Sequence, residues 1–250
     1  MARALTGGRV AGGLVVLLLL AGAVEVARGT GILLHDSAKP ASIADALRRF
    51  RAGGDAAGKL DGVYLYATRG QESVDALGGA HHRYPATTSI TVLGVPCGVQ
   101  LRWDALKGRS TTWTLCAAAT GAELGSEQIV HTFFGQVDRT GYVCAGTELL
   151  RAGPFRCRSS RARESGTVEV VGRERVEVGG KAVQAEHVRT TATIAGADQG
   201  RETVDWWLST ESGLPLRLAF SSRTSRKTFV GRVHYAEDAV LRLDWLTPRR

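Results

Sequence analysis

Asparagine is absent from this 250-residue sequence, and methionine occurs once. The first absence removes every Asn-x-Ser/Thr acceptor, so the chain offers no site for N-linked glycans. The second leaves no material for a flexible, methionine-lined binding surface. Motifs that announce chemistry are missing as well: there is no HExxH, CxxC or CxxH and no GxSxG elbow. His81, His82, His131, His187 and His234 stand without a carboxylate or a second ligand at motif spacing. No catalytic residue, no metal ligand and no cofactor is therefore assigned from the sequence.

What is present divides into an apolar run and a cysteine-bearing remainder. Val10 to Ala27 is about 27 Å long as a helix at ~1.5 Å per residue, close to the ~30 Å of hydrocarbon in a bilayer. Ala21 and Ala23 at its end form the small-residue pattern that signal peptidase accepts. Two readings stay open, a retained single-pass anchor over 10–27 behind a cytoplasmic 1–9, and a cleaved signal that releases the protein. Arg3 and Arg9 on one flank match Arg28 and Lys39 on the other, so the positive-inside count does not orient the segment.

The cysteines do orient it. Cys97, Cys116, Cys144 and Cys157 all follow the apolar run and lack zinc-site spacing, so they read as two disulfides formed in an oxidising compartment. The C-terminal domain is then expected outside the cytoplasm. Four cysteines allow three connectivities. A hairpin argument favours Cys97 with Cys116, because Gly98 to Trp103 and Thr111 to Leu115 flank a turn-like Asp104 to Arg109. Strict symmetry would put Leu101 and Trp113 on opposite faces, so a bulge or slipped register is required. By the same logic Cys144 and Cys157 bracket a turn at Gly153-Pro154.

The net charge is +8, with basic clusters at Arg48-Arg49-Phe50-Arg51, Arg158 to Arg163 and Arg223 to Lys227. No nucleic-acid module accompanies them, so a nucleic-acid partner is not expected; anionic lipid headgroups suit an exported basic domain better. Residues 28–58 form a linker with one short amphipathic helix, capped by Ser42 and carrying Ile43, Ala46, Leu47 and Phe50 at helical spacing. From 59 to 250 the pattern is β. The cysteine-bearing first half, 59–157, reads as strands at 63–68, 72–77, 87–93, 99–103, 111–116 and 128–134. The second half, 166–247, is a meander with a two-residue turn at Gly179-Gly180 and a further turn at Ser212-Gly213. In it Val204, Trp206 and Leu208 point one way while Asp205, Trp207 and Ser209 point the other, and Leu214, Leu216, Leu218 and Phe220 keep one face.

The segment TVDWWLSTESGLPLRL, Thr203 to Leu218, resembles the W-L-D-x-x-T-G-L-P-L-[RK] hairpin of the lipoprotein-carrier half-barrel superfamily, which includes LolA-like carriers and RseB-like stress regulators. Trp207, Leu208, Glu211, Gly213, Leu214, Pro215, Leu216 and Arg217 match, while Ser209 replaces the usual aspartate and Ser212 the usual threonine. The resemblance implies an unclosed barrel that holds acyl chains and has no catalytic residues. The expected fold class is accordingly mainly β, a strongly curved, half-barrel-like antiparallel sheet with one or few helices. The expected function is capture of a hydrophobic or lipidic ligand, such as a lipid or lipoprotein acyl chain, in the concave sheet. Trp206, Trp207, Leu216 and Leu218 are the candidate contacts. The alternative is a structural or regulatory contact with another envelope protein through the sheet or its edge, and a hydrolase ranks third.

Overall fold

The structure, a computed structural model, describes residues 38–53, 58–119, 121–228 and 231–250. The anchor or signal segment at 10–27 lies outside the described residues. Among those described, no helix is long and apolar enough to cross a membrane.

The helix expected near residue 43 is α1, Ile43–Ala52. Its N-cap is Ser42, whose Oγ accepts from Asp45 N–H, and Asp45 in the first turn with Arg49 and Arg51 in the last complements the helix dipole. Ala46 and Phe50 are its buried face, packed with Val63, Leu47 and Leu93, so it covers the sheet.

Thirteen strands form a single antiparallel sheet. In chain order they are β1 (Gly62–Val74), β2 (Ala80–Arg83), β3 (Thr87–Val95), β4 (Gly98–Leu106), β5 (Arg109–Ala118), β6 (Gly121–Phe133), β7 (Gln136–Cys144) and β8 (Gly153–Arg158). The set continues with β9 (Ala162–Val178), β10 (Lys181–Gly196), β11 (Asp198–Ser209), β12 (Pro215–Thr228) and β13 (Gly231–Leu243). From β3 onward each strand pairs with the next, as a meander does.

The sheet departs from a half-barrel at its ends. One edge of β1 pairs with β13, from Tyr66↔Leu243 to Val74↔Tyr235, and its other edge is shared by β3 and β2. The strands thus close into a ring. Left open, so long a sheet would present two rows of unpaired backbone groups; closure satisfies them, and open twisted sheets rarely exceed ~10 strands without curling. The curl needs close backbone approaches. A Cβ on Gly166 would lie 1.7 Å from Thr191 O and one on Gly200 2.1 Å from Arg223 O, so only glycine fits at these two turns of the wall.

Both disulfides join neighbouring cysteines, Cys97–Cys116 and Cys144–Cys157. The bulge that the first pairing requires lies between Asp104 and Leu106, which lets Leu101 face Trp113 directly. The second disulfide has a different setting. It does not bracket a turn at Gly153-Pro154, since both residues begin β8. It joins β7 to β8, whose ladder consists of Val143↔Arg158 and Cys144↔Cys157 alone. Arg161 assists at this seam, reaching Asp138 at 2.6 and 3.2 Å, Arg139 O at 3.4 Å and the Thr140 hydroxyl.

Along β11, β12 and β13 the inward face changes chemistry halfway. On β12, Leu216, Leu218 and Phe220 give way to Ser222, Thr224 and Arg226; on β13, Leu241 and Ala239 give way to Glu237 and Tyr235. On β11, Trp206 and Val204 give way to Glu202 and Asp198. One end of the barrel is therefore packed solid by Trp103, Trp206, Tyr66, Leu216, Leu218 and Leu241. Trp113 and Trp206 meet edge to face at 5.2 Å, as do Trp103 and Phe220. The other end is hollow.

Candidate functional site

The hollow is a cavity of about 360 Å³, within the ~300–1,000 Å³ of small-molecule sites. Ile129, Phe133, Ile194, Val204, Phe220 and Val233 supply apolar wall, and Trp113 borders the packed core. Its mouth lies where Leu77 and Phe134 stand, on the connections β1–β2 and β6–β7. These are the two non-glycine residues with positive φ among the described residues, each at 51°. A left-handed backbone costs a bulky side chain roughly 1–2 kcal/mol, and such strain gathers where a site needs it.

Two polar groups occupy the cavity wall. The first is a satisfied network. Arg109, 3% exposed, grips Glu237 through Nη2 at 2.7 and 2.8 Å and Nε at 3.0 Å, and donates to Thr111 Oγ1 at 2.7 Å. The Tyr235 hydroxyl lies 2.6 Å from Glu237 Oε2 and 3.1 Å from Glu72 Oε2, and the Tyr84 hydroxyl also donates to Glu237. Glu72 is flanked by His82 Nδ1 and His131 Nδ1, both at 3.1 Å. Burial works to raise the Glu72 pKa, but the His131 and His82 hydrogen bonds and the Arg109 charge hold it down at about 2. Opposite charges thus fix the conformations here.

The second group is a triad of carboxylates, Glu127 from β6, Glu164 from β9 and Glu202 from β11. One oxygen of each lies within 4.8 Å of the others. Neutral donors hold them: Trp113 Nε1–H donates to Glu127 Oε1 at 2.7 Å, the Tyr142 hydroxyl bonds Glu164, and the Ser222 hydroxyl bonds Glu202. With no basic partner in direct contact, burial dominates. It pushes Glu127 up to about 7 and Glu164, helped by Glu127, up to about 8. Glu202 is raised well above the carboxylate range by burial and then by Glu127, Glu164 and Glu237. Glu164 is 2% exposed, and its Oε2 has no hydrogen-bond partner.

At the rim, Asp138 and Asp198 alternate with Arg161 and Arg226. Arg226 Nη2 reaches Asp138 at 3.1 Å, Arg226 Nε bonds Asp198, and Arg161 Nε lies 3.5 Å from Asp198.

The four contact candidates from the sequence lie elsewhere. Trp206, 2% exposed, and the fully buried Leu216 and Leu218 belong to the packed end and do not line the cavity. Trp207 is on the outer face, covered by its own neighbours: His187 stacks on it at 4.1 Å, the Arg217 guanidinium lies over it at 4.2 Å, and its indole N–H donates to Glu174. Sequence reasoning missed the triad, although a signal for one member existed. Glu202 shares the face of Val204 and Trp206 by strict alternation, which places an acid on an apolar face. In the Ser209–Gly213 turn the Ser209 Oγ accepts from Glu211 N–H at 3.3 Å and Ser212 N–H at 3.2 Å.

The fold and cavity together define an antiparallel β barrel with one hollow, acid-bearing end. No protein-family model matches the sequence, and no curated protein or solved structure matches it.

Proposed function

We propose that this chain is an extracytoplasmic binding protein that holds a small hydrophobic or amphipathic molecule inside its barrel. The observation that carries the reading is the cavity itself, about 360 Å³ of largely apolar wall opening at one end of an otherwise packed barrel. Two disulfides support an oxidising compartment. The strained Leu77 and Phe134 at the mouth support a site there rather than a packing fault. The network around Arg109 and Glu237 is tied up in mutual hydrogen bonds, so it serves to hold the wall rather than to act on a substrate. Contact with a protein partner through a free sheet edge is the weaker reading, because the ring pairs most edges.

Native mass spectrometry of the protein taken from its own membrane tests the proposal. A small-molecule adduct that is released on unfolding is expected. Protein that is uniformly empty, and that takes up no apolar dye saturably, refutes it.

A further inference from the structure

We infer that the Glu127, Glu164 and Glu202 triad is the head-group site of the cavity, and that it receives a primary ammonium carried on an apolar body. This rests on the ligand-binding reading above and names its ligand class. Three atoms within 4.8 Å of one another surround a centre no more than about 2.8 Å from each, the length of a charge-assisted N–H···O bond. An ammonium offers three donors for those three acceptors. Glu164 shows that something is wanted: a carboxylate 2% exposed, lining the cavity, with Oε2 unpartnered. An unsatisfied buried acceptor costs roughly 1–3 kcal/mol, and a cation in the triad removes that cost.

Competing ligands fit less well. A fatty-acid carboxylate brings no donor for the triad oxygens and forfeits the charge pairing that an ammonium gains as the triad gives up its protons. Calcium takes six to eight oxygens, yet Trp113, Tyr142 and Ser222 already engage the triad from behind. Water would have to supply the rest beside Ile194, Val204 and Phe220. Zinc prefers nitrogen and sulfur ligands, which the triad does not provide. An alkyl chain, by contrast, uses the apolar wall that a metal leaves idle.

The test compares hexylamine, hexanol and hexanoate by titration calorimetry against the full chain in lipid nanodiscs, with empty nanodiscs as the blank. Hexylamine is expected to bind at least about tenfold more tightly than hexanol, with hexanoate weakest. Glu164→Gln and Glu202→Gln, each checked for folding by circular dichroism, should lose that preference while keeping hexanol affinity. Hexanol binding as tightly as hexylamine overturns the head-group inference and leaves the cavity reading standing. Saturable binding of calcium or manganese alone that hexylamine does not displace overturns it in favour of a metal. If none of the three hexyl compounds binds, both readings fail together.

Discussion

Removing the Cys144–Cys157 disulfide probes the closure of the barrel directly. The two cysteines are 13 residues apart, and freeing a loop of that size returns about 3 kcal/mol of chain entropy to the unfolded state. In a domain of ~150–250 residues this lowers the melting temperature by roughly 6–12 °C, at ~2–4 °C per kcal/mol. Cys97 and Cys116 are 19 residues apart, so chain entropy alone assigns their loss about the same 3 kcal/mol. The structure separates the two cases. The β4–β5 hairpin keeps a continuous ladder from Gly98↔Cys116 to Asp104↔Ser110, whereas β7 and β8 share only the two backbone pairs Val143↔Arg158 and Cys144↔Cys157, the second at the site of the lost bond. Both pairs should be replaced by alanine and followed by thermal melting and amide hydrogen exchange. Cys144→Ala with Cys157→Ala should expose the amides of β7 and β8 well below the global unfolding energy; Cys97→Ala with Cys116→Ala should leave β4 and β5 protected. Equal protection of β7 in both variants would refute the idea that the disulfide holds a weak seam.

Three further outcomes are expected. Glu127 and Glu164 have folded pKa values of about 7 and 8, above the ordinary 4.5, so the native state holds extra protons between those values. Their contribution is fully present below about pH 4.5 and is lost as pH rises through 7 and 8; Glu72, held at about 2, contributes above 4.5 and is lost as pH falls towards 2. The melting temperature should therefore peak near pH 5, and Glu164→Gln should flatten the alkaline fall by a few kcal/mol at ~1.4 kcal/mol per pKa unit, a result that a pH series of melts checks. Phe134→Asn, which installs the favoured Asn-Gly pair in the β6–β7 turn, should stabilise the fold by roughly 1 kcal/mol yet weaken ligand retention, as denaturant melts and dye titration would show. Gly166→Ala should cost more than about 3 kcal/mol or prevent folding, since its Cβ would sit on Thr191 O.

Legibility in the sequence followed the chemistry of the inward face. Where that face is apolar, as at Leu216, Leu218 and Phe220, alternation placed the strand. Strand β7 was missed because its inward residues Asp138, Thr140 and Tyr142 line the hollow end and give no apolar period. Strand β13 gives no continuous apolar period for the same reason, since Tyr235 and Glu237 interrupt its apolar face. Gly70, a residue that ordinarily breaks a strand pattern, sits within the ladder opposite Ala239. Pairing of the cysteines was readable because each pair is local. Closure was not, because β1 and β13 lie at opposite ends of the domain and nothing local in either strand names the other.

A barrel filled at one end behaves as a vessel with one opening, and this fixes the order of events in any exchange of contents. A second molecule has no far side from which to drive out the first. Replacement must then proceed by departure followed by entry, at a rate that does not depend on how much competitor is supplied. The same passage serves both directions, and it runs past the alternating charges of Asp138, Arg161, Asp198 and Arg226. Under the proposed binding function, residence time is in that sense a property of the rim, set apart from affinity, which belongs to the wall below.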